Sequence, residues 1–329
     1  MNWQGKSVLV TGAGGFIGSH LTERLVREGA RVRAFVRYNS RHDMGLLALL
    51  PAELLAEIEV IAGDLRDGEA VRQAMKEADI VFHLGALISI PYSYQHPREV
   101  VETNILGTLN VLMAARELGT RRIVHTSSSE VYGTALYVPI DEKHPLQGQS
   151  PYSASKIGAD KIAESFFRSF GVPVAILRPF NTYGPRQSAR AVIPTIITQA
   201  LTSDRIRLGA LEPKRDFTFV EDTVDGFLRM GLIEGVEGKE VNLGAETCLS
   251  IGELAHKILQ IVDRDLPIVC EEQRLRPSQS EVLRLHADAK RAHQILGWQP
   301  RVSLDEGLER TIAWIRDNLE LYRPEVYEW

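Results

Sequence analysis

The sequence predicts an α/β fold in which a doubly wound parallel sheet carries helices on both faces and a smaller C-terminal lobe follows. Short apolar segments alternate with helical patterns through the first half of the chain. A glycine-rich turn joins the first of these segments to a helix. The length of 329 residues exceeds that of most single hydrophobic cores, which predicts two packed lobes.

Six apolar segments are predicted as strands of the sheet. Each is short and is followed by a turn or a helical pattern, as expected for strands buried on both faces. They lie at residues 8–10, 32–36, 60–62, 80–84, 123–126 and 174–177. Prolines interrupt the pattern after residue 178. We therefore predict a dinucleotide-binding domain at 1–178 plus about 217–245, and a substrate lobe at about 179–216 and 246–329.

The turn after the first strand predicts a Rossmann-type dinucleotide site. Gly12 permits a tight turn, Gly15 lets the backbone approach a pyrophosphate, and Gly18 allows close packing of a helix predicted at 19–28. The Gly-x-x-Gly-x-x-Gly spacing differs slightly from the commonest fingerprint, but its place between strand and helix favours the assignment. The predicted contacts are Gly12, Gly14, Gly15, Phe16, Ile17 and Gly18.

The end of the second strand bears on which cofactor binds. Arg37 lies where a carboxylate would bind the adenosine ribose. An arginine there, followed by donors at Asn39 and Ser40, suits a 2′-phosphate and favours NADP(H). Alternatively, Arg37 stacks on the adenine and NAD(H) is used.

Tyr152 and Lys156 form the candidate catalytic pair. Residues four apart share a helix face, so the ammonium of Lys156 is expected to favour the phenolate and to lower the tyrosine pKa from about 10. A tyrosine activated in this way can act as a base. The preceding segment adds Ser128, Ser129 and Glu130.

These motifs together resemble the extended short-chain dehydrogenase/reductase family, and within it the nucleotide-sugar epimerases, dehydratases and decarboxylases. The resemblance covers nearly the whole chain, with further motifs at 63–65, 83–86, 104–108, 178–186, 215–222 and 296–300. It implies that Asp64 and Leu65 flank the adenine and that Lys156 also contacts the nicotinamide ribose. The remaining cofactor residues that it implies are Leu84, Gly85, Ala86 and Asn104.

The resemblance also implies a reaction. Tyr152 would take the proton of a sugar C4 hydroxyl, hydride would leave C4, and Ser128 would bond the same oxygen. A 4,6-dehydratase then needs a base for C5, and Glu130 has that chemistry. Epimerases commonly carry a small or hydroxyl residue at this position. Dehydratases of thymidine-linked glucose usually have Asp-Glu where this chain has Ser129-Glu130, so either Glu130 or another acid protonates the departing C6 hydroxyl.

Three further functions remain open. The first is a glucuronate decarboxylase, since these enzymes also carry Ser-Glu at this point. They need a cation to bind the substrate carboxylate, and the candidates are Arg186, Arg190, Arg274 and Arg276. The second is a 4-epimerase, and the third is a non-catalytic dinucleotide sensor. Residues 126–152 and 178–190, however, look most like bacterial N-acetylglucosamine 4,6-dehydratases of nonulosonic (legionaminic-type) acid pathways. We therefore predict a dehydratase of nucleotide-linked N-acetylglucosamine.

Substrate contacts are predicted around the sugar and the diphosphate. The family pattern puts Asn181 and Arg215 near the diphosphate, with the 274–281 segment, including Arg276, closing over it. Arg190 is a further candidate. The loop at 90–96 follows the fourth strand, so Tyr92 and Tyr94 are expected to line the sugar pocket, or else only pack on the loop.

Partners follow from composition and from the family. A net charge of −5 without a basic block argues against nucleic acid. The sequence has only two cysteines, without metal-ligand spacing, so no metal is expected. It has no apolar run of about 20 residues and no room for a signal peptide, which indicates a cytoplasmic protein that contacts no membrane. Helical stripes at 101–113 and 159–170 would face the sheet; the resemblance implies that they also pair in a homodimer through a four-helix bundle.

Overall fold

The computed structural model of the protein describes residues 2–322, so Met1 and the predicted lobe's last residues, 323–329, lie outside the described residues. Its strands are β1 (Ser7–Thr11), β2 (Arg31–Arg37), β3 (Ile58–Gly63), β4 (Ile80–His83), β5 (Arg122–Thr126), β6 (Val174–Pro179), β7 (Asn181–Tyr183), β8 (Ile206–Leu208), β9 (Lys214–Phe219), β10 (Glu240–Leu243), β11 (Cys248–Ser250) and β12 (Ile268–Cys270). Its helices are α1 (Phe16–Arg27), α2 (Ala52–Leu55), α3 (Gly68–Met75), α4 (Ile90–Gln95), α5 (Pro97–Val101), α6 (Gly107–Leu118), α7 (Pro151–Phe170), α8 (Val192–Thr202), α9 (Val220–Leu232), α10 (Ile251–Ile261) and α11 (Leu304–Asp317).

Within residues 2–322 the central sheet has seven strands in the order β10-β6-β5-β4-β1-β2-β3, all parallel. Alternate residues of a strand point to opposite faces. Leu9 and Val81 therefore pack with Val111 and Ala163 of α6 and α7 on one face. Val8, Val10 and Phe82 pack on the other face, against a cluster that includes residues of α1 and α9. This confirms the predicted doubly wound α/β fold.

The remaining strands form two small sheets at one side of the central sheet. One has the order β11-β9-β7 and the other pairs β12 with β8. β7 starts at Asn181, immediately beyond the carboxyl end of β6, so the small sheet continues from the edge where parallel strands end. The carboxyl edge is where ligands bind in open α/β sheets. The two-lobe division itself stays a prediction.

The strands begin and end within two residues of the predicted positions, but helix α1 differs. It begins at Phe16 with Gly15 as its N-cap residue, whereas the sequence indicated a start at residue 19. Gly18 thus lies inside the first turn of the helix. A Cβ on Gly18 would meet the backbone of Gly12 and Ala13, so the glycine allows the helix to pack closely against the glycine turn.

The apolar stripes of α5, α6 and α7 are divided between core and surface. Leu112, Ala159 and Ala163 are buried, as expected of residues that face the sheet. Val101 and Phe170 are exposed, and Met113 is 56% exposed. The homodimer therefore stays a prediction, with these exposed side chains as its candidate contacts.

Candidate active site

The glycine turn forms a concave surface, here called the cradle, which would be filled if its glycines carried side chains. Gly12 has φ +70°, and a Cβ there would lie 2.7 Å from the Gly85 nitrogen. A Cβ on Gly18 would lie 2.2 Å from the Gly12 carbonyl oxygen. Among the described residues no side chain caps the N-terminus of α1, and its first turn contains no acid. Its backbone N–H groups therefore suit an anion such as the pyrophosphate of a dinucleotide.

Gly14 and Asn39 shape the loop beside this cradle. A Cβ on Gly14 would lie 2.6 Å from the Met44 carbonyl oxygen, and the Gly14 carbonyl accepts the Leu46 N–H at 2.9 Å. The Asn39 side chain accepts from the N–H groups of Arg41 and Asp43. Both residues thus hold segment 39–46 in place, Ser40 lies exposed within that segment, and contact of any of them with the cofactor stays a prediction.

The loop after β4 lies against the glycine turn. Leu84 N–H bonds the Thr11 carbonyl at 3.2 Å, and a Cβ on Gly85 would lie 2.7 Å from Leu65. Asn104 is buried, donates to the Leu87 carbonyl and to Ser155 Oγ, and accepts the Leu87 N–H. The loop that carries Leu84, Gly85 and Ala86 is thereby fixed to α7.

The predicted adenosine end is exposed and rich in ion pairs. Arg37 lies at the end of β2, with its side chain 65% exposed and Nη2 3.3 Å from Glu99 Oε1. Asp64 pairs with Arg66 at 2.6 Å, and this hydrogen bond lowers the Asp64 pKa. Tyr92 donates its hydroxyl to Glu99 Oε2 at 2.5 Å. Tyr92 thus bonds to Glu99 and is not among the residues that line the cavity described below, whereas Tyr94 is. Contact of Tyr92 with the substrate stays a prediction.

Tyr152 and Ser128 meet at the start of α7. Ser150 caps this helix through the N–H of Ser153, which places Tyr152 in the first turn. Tyr152 is buried and shares a hydrogen bond with Ser128. Burial raises the pKa of Tyr152 to about 12, although the Ser128 bond opposes the shift. The two hydroxyls are thus brought together, as expected for a pair that binds one substrate oxygen.

Lys156 makes its side-chain hydrogen bond with the end of β5 and not with Tyr152. Its Nζ donates to the Thr126 carbonyl at 2.5 Å, and burial lowers its pKa to about 8. The expected lowering of the Tyr152 pKa is wrong for the protein's own residues, because the spacing of the pair carried no information on the burial of the phenol. Lys156 instead ties α7 to the end of β5.

A buried charge cluster lies one helical turn beyond Lys156. Asp160 Oδ2 accepts from Ser127 Oγ at 2.8 Å and from Arg178 Nη2 at 3.0 Å. Its other oxygen lies 3.2 Å from His125 Nε2. Burial raises the pKa of Asp160, but the contact with His125 and the charge of Arg178 outweigh it and lower the pKa to about 2. Asp160 thus holds the residue that precedes Ser128. The buried cluster of Asp160, His125 and Arg178 is hereafter called the catalytic floor.

A cavity of about 430 Å³ has Glu130 in its lining. Glu130 faces it from a turn at Ser129–Tyr132, where its N–H donates to Ser128 Oγ at 3.2 Å. Ser129 is buried and does not belong to the residues that line the cavity. The predicted substrate residues among those lining it are Tyr94, Asn181, Arg190, Arg215 and Arg276.

Glu281 is a cavity residue that the sequence did not reveal. Its Oε1 lies 3.4 Å from Arg215 Nη2 and 3.7 Å from Arg276 Nη1, so one carboxylate positions two guanidinium groups. The only signal in the sequence was its place at the end of segment 274–281. Arg186, by contrast, pairs with Glu23 at 2.6 Å and does not line the cavity, unlike Arg190 and Arg274.

Three features define the class of protein: a cradle for a dinucleotide, a tyrosine and a serine whose hydroxyls share a hydrogen bond, and a cavity lined by arginines at one edge of the sheet. They are typical of dinucleotide-dependent enzymes of the short-chain dehydrogenase/reductase type. Residues 9–311 match the family model described as GDP-mannose 4,6 dehydratase. The chain belongs to the family of nucleotide-sugar dehydratases and epimerases.

Both reactions occur among similar proteins. The UDP-glucose 4-epimerase of Mycolicibacterium smegmatis is 33% identical over 94% of this chain and 98% of its own. The dTDP-glucose 4,6-dehydratase of Streptomyces antibioticus is 32% identical over 97% of this chain and 95% of its own. The structure of DesIV, a dTDP-glucose 4,6-dehydratase from Streptomyces venezuelae with NAD and TYD bound, superposes with a TM-score of 0.87 at 30% identity, covering 97% of this chain and 99% of that chain.

No helix within residues 2–322 is long and apolar enough to cross a membrane. Over the same residues, no group of three or more His, Cys, Asp or Glu side chains is placed to hold a metal ion. The specific likeness to N-acetylglucosamine dehydratases stays a prediction.

Proposed function

We propose that the protein is a nucleotide-sugar 4,6-dehydratase that acts on nucleotide-linked N-acetylglucosamine. The observation that carries this proposal is the place of Glu130. Its carboxylate faces the cavity, two residues after Ser128, and its charge influences both Tyr152 and Arg215. A dehydratase needs a base at this point, between the group that holds the C4 oxygen and the groups that hold the diphosphate.

The chain's residues support the following steps. Tyr152, as its phenolate, takes the proton of the C4 hydroxyl while Ser128 holds the same oxygen. A nicotinamide dinucleotide, when bound, would accept hydride from C4 and later return it, and its positively charged oxidised ring would offset the burial that raises the pKa of Tyr152. The C4 ketone acidifies C5, and Glu130 takes the C5 proton. The C6 hydroxyl leaves as water with the proton that Glu130 took from C5. Hydride would then add to C6, C5 would take a proton from solvent through Glu130, and Tyr152 would release the C4 proton to solvent. The product is a 4-keto-6-deoxy sugar.

Glu130 is also the favoured acid for the departing C6 hydroxyl. Ser129 occupies the place of the usual aspartate but is buried beside the cavity and has no carboxyl group. After Glu130 has taken the proton from C5, it can pass that proton to the leaving oxygen. One residue would then do the work that an Asp-Glu pair shares elsewhere.

A 4-epimerase is the second candidate, favoured by the similarity to the M. smegmatis enzyme. It needs Tyr152 and Ser128 but no base for C5. A glucuronate decarboxylase is the third candidate, because Arg190 and Arg274 give the cavity cationic groups for a substrate carboxylate.

We further propose that NADP(H) is preferred and that the protein is a cytoplasmic homodimer. Arg37 supports the first, since its exposed guanidinium stands where the ribose is bound in this fold. NAD(H) remains the alternative, and titration with each cofactor would decide. Exposed Met113 supports the second; a Met113→Glu variant should sediment as a monomer if the helix pair is the interface.

Incubation with UDP- and GDP-N-acetylglucosamine, followed by mass spectrometry, tests the proposed reaction. Loss of one water supports the dehydratase. Unchanged mass with inverted C4 would identify an epimerase, and loss of carbon dioxide from a glucuronate substrate a decarboxylase. No keto-sugar product across a panel of nucleotide sugars, despite cofactor binding, would point to a dinucleotide sensor. Tyr152→Phe is the matched control, because it removes only the hydroxyl that takes the C4 proton.

A further inference from the structure

Glu99 lies beside the arginine that is expected to recognise the cofactor. It comes from α5, far along the chain from β2, yet its Oε1 is 3.3 Å from Arg37 Nη2. About a quarter of its side chain is exposed, against 65% for Arg37. A carboxylate, absent from the end of β2, is thus supplied by a different element.

Tyr92 fixes the position of this carboxylate. Its hydroxyl donates to Glu99 Oε2 at 2.5 Å, and its ring lies 4.4 Å from the ring of His96. The hydrogen bond from Tyr92 and the charge of Arg37 lower the pKa of Glu99, so the group is ionised at neutral pH. The carboxylate is therefore held at the adenosine end by one partner even when Arg37 moves.

Two further charges nearby, those of Asp64 and Arg66, pair with each other but also act on the first pair. Besides the effects of its own partners, the charge of Arg66 helps to lower the pKa of Glu99. Besides the hydrogen bond from Arg66, the charge of Arg37 helps to lower the pKa of Asp64. The Asp64 carboxylate accepts hydrogen bonds from the Arg66 guanidinium, the shortest at 2.6 Å, so the two charges largely cancel. Glu102 adds a weaker negative charge that acts on Arg66. Arg37 and Glu99 are thus the two opposed groups whose balance a ligand charge can change.

We propose that Glu99 is a specificity-determining residue of the cofactor site, opposing the 2′-phosphate that Arg37 attracts and accepting a ribose hydroxyl in its absence. This inference rests on the dinucleotide cofactor of the proposed function. A 2′-phosphate must draw Arg37 away from Glu99 and then lies close to a fixed negative charge, which weakens binding. A 2′-hydroxyl can instead donate to the carboxylate. The Arg37–Glu99 pair thereby sets the ratio of the affinities for the cofactor with the 2′-phosphate and the cofactor without it.

The test is a titration of the full-length protein with NADPH and NADH, monitored by cofactor fluorescence without substrate. Glu99→Gln should tighten NADPH about 3- to 10-fold while NADH stays the same or weakens, and the change should shrink at high salt. Tyr92→Phe keeps the Glu99 carboxylate but removes the hydrogen bond that fixes its position. It should shift the ratio of the NADPH and NADH affinities in the same direction, by a smaller amount. Arg37→Gln should weaken NADPH selectively.

Glu59→Gln is the matched control. It removes the carboxylate of another exposed ion pair, which joins Arg33 of β2 to Glu59 of β3 at 2.8 Å; Arg33 lies about 13 Å from Arg37 along β2. It should leave the affinity ratio unchanged. An unchanged ratio in Glu99→Gln, or an equal gain for both cofactors, overturns the proposal. Because no substrate is present, failure of the dehydratase assignment would appear separately, in the mass of the product.

Discussion

The two ends of the predicted cofactor site are built from different kinds of charge pair. Beneath Tyr152, Asp160, His125 and Arg178 are each at most 3% exposed, and Asp160 contacts several partners. At the adenosine end, Arg37 and its neighbours are paired in contact with solvent. The same residue types therefore do different work at the two ends.

This contrast indicates which parts of the site can change without loss of the fold. A buried charge that loses its partner is left without water, which is costly, whereas exposed pairs contribute little to stability. We infer that the catalytic floor is tied to folding, while the adenosine end can alter cofactor choice freely. Substitutions at each end test this contrast.

Asp160→Asn is expected to have the largest effect on stability. It leaves the buried guanidinium of Arg178 without its counter-charge, so the free energy of unfolding should fall by about 3–5 kcal/mol. Ser127→Ala, which removes one hydrogen bond to the same carboxylate, is the control and should cost about 1–3 kcal/mol. Urea denaturation measures both; a loss below about 1 kcal/mol for Asp160→Asn would contradict the contrast.

Lys156→Met should change how stability depends on pH. The folded pKa of about 8 lies below the ordinary 10.5, so between these values the unfolded chain binds more protons and stability rises with pH. The cost of burying the charge is present in full below pH 8. The methionine variant should therefore be more stable at pH 7, by about 2–3 kcal/mol less the lost bond to Thr126, and should lose the rise. Melting temperatures between pH 7 and pH 10 provide the measurement, and a rise that persists in the variant would refute this account of Lys156.

Arg66→Gln should have the smallest effect. Its pair with Asp64 is partly exposed on both sides, so the free energy of unfolding should change by about 0.5 kcal/mol or less. The same denaturation experiment applies. A loss above about 1.5 kcal/mol would show that the adenosine end is as tightly built as the floor.

The features that the sequence predicted correctly are those with a local signal. Strands buried on both faces read as apolar runs, and the glycine turn was evident from its place between strand and helix. Asp160 was within reach, because it lies four residues after Lys156 on the same helix face. Glu99 and Glu281 were not, since each meets its arginines only through tertiary folding. The Tyr152 pKa failed for a related reason: spacing shows neighbours, but only the structure shows burial.

The role of Glu130 as the base for C5 is tested by hydrogen exchange at C5 of the sugar, catalysed in deuterium oxide by the wild-type protein and by Glu130→Gln. The wild-type product should carry deuterium at C5 and have lost one water. Glu130→Gln should bind the cofactor normally but show neither exchange nor dehydration. If that variant dehydrates its substrate at the wild-type rate, Glu130 is not the base and the assignment fails.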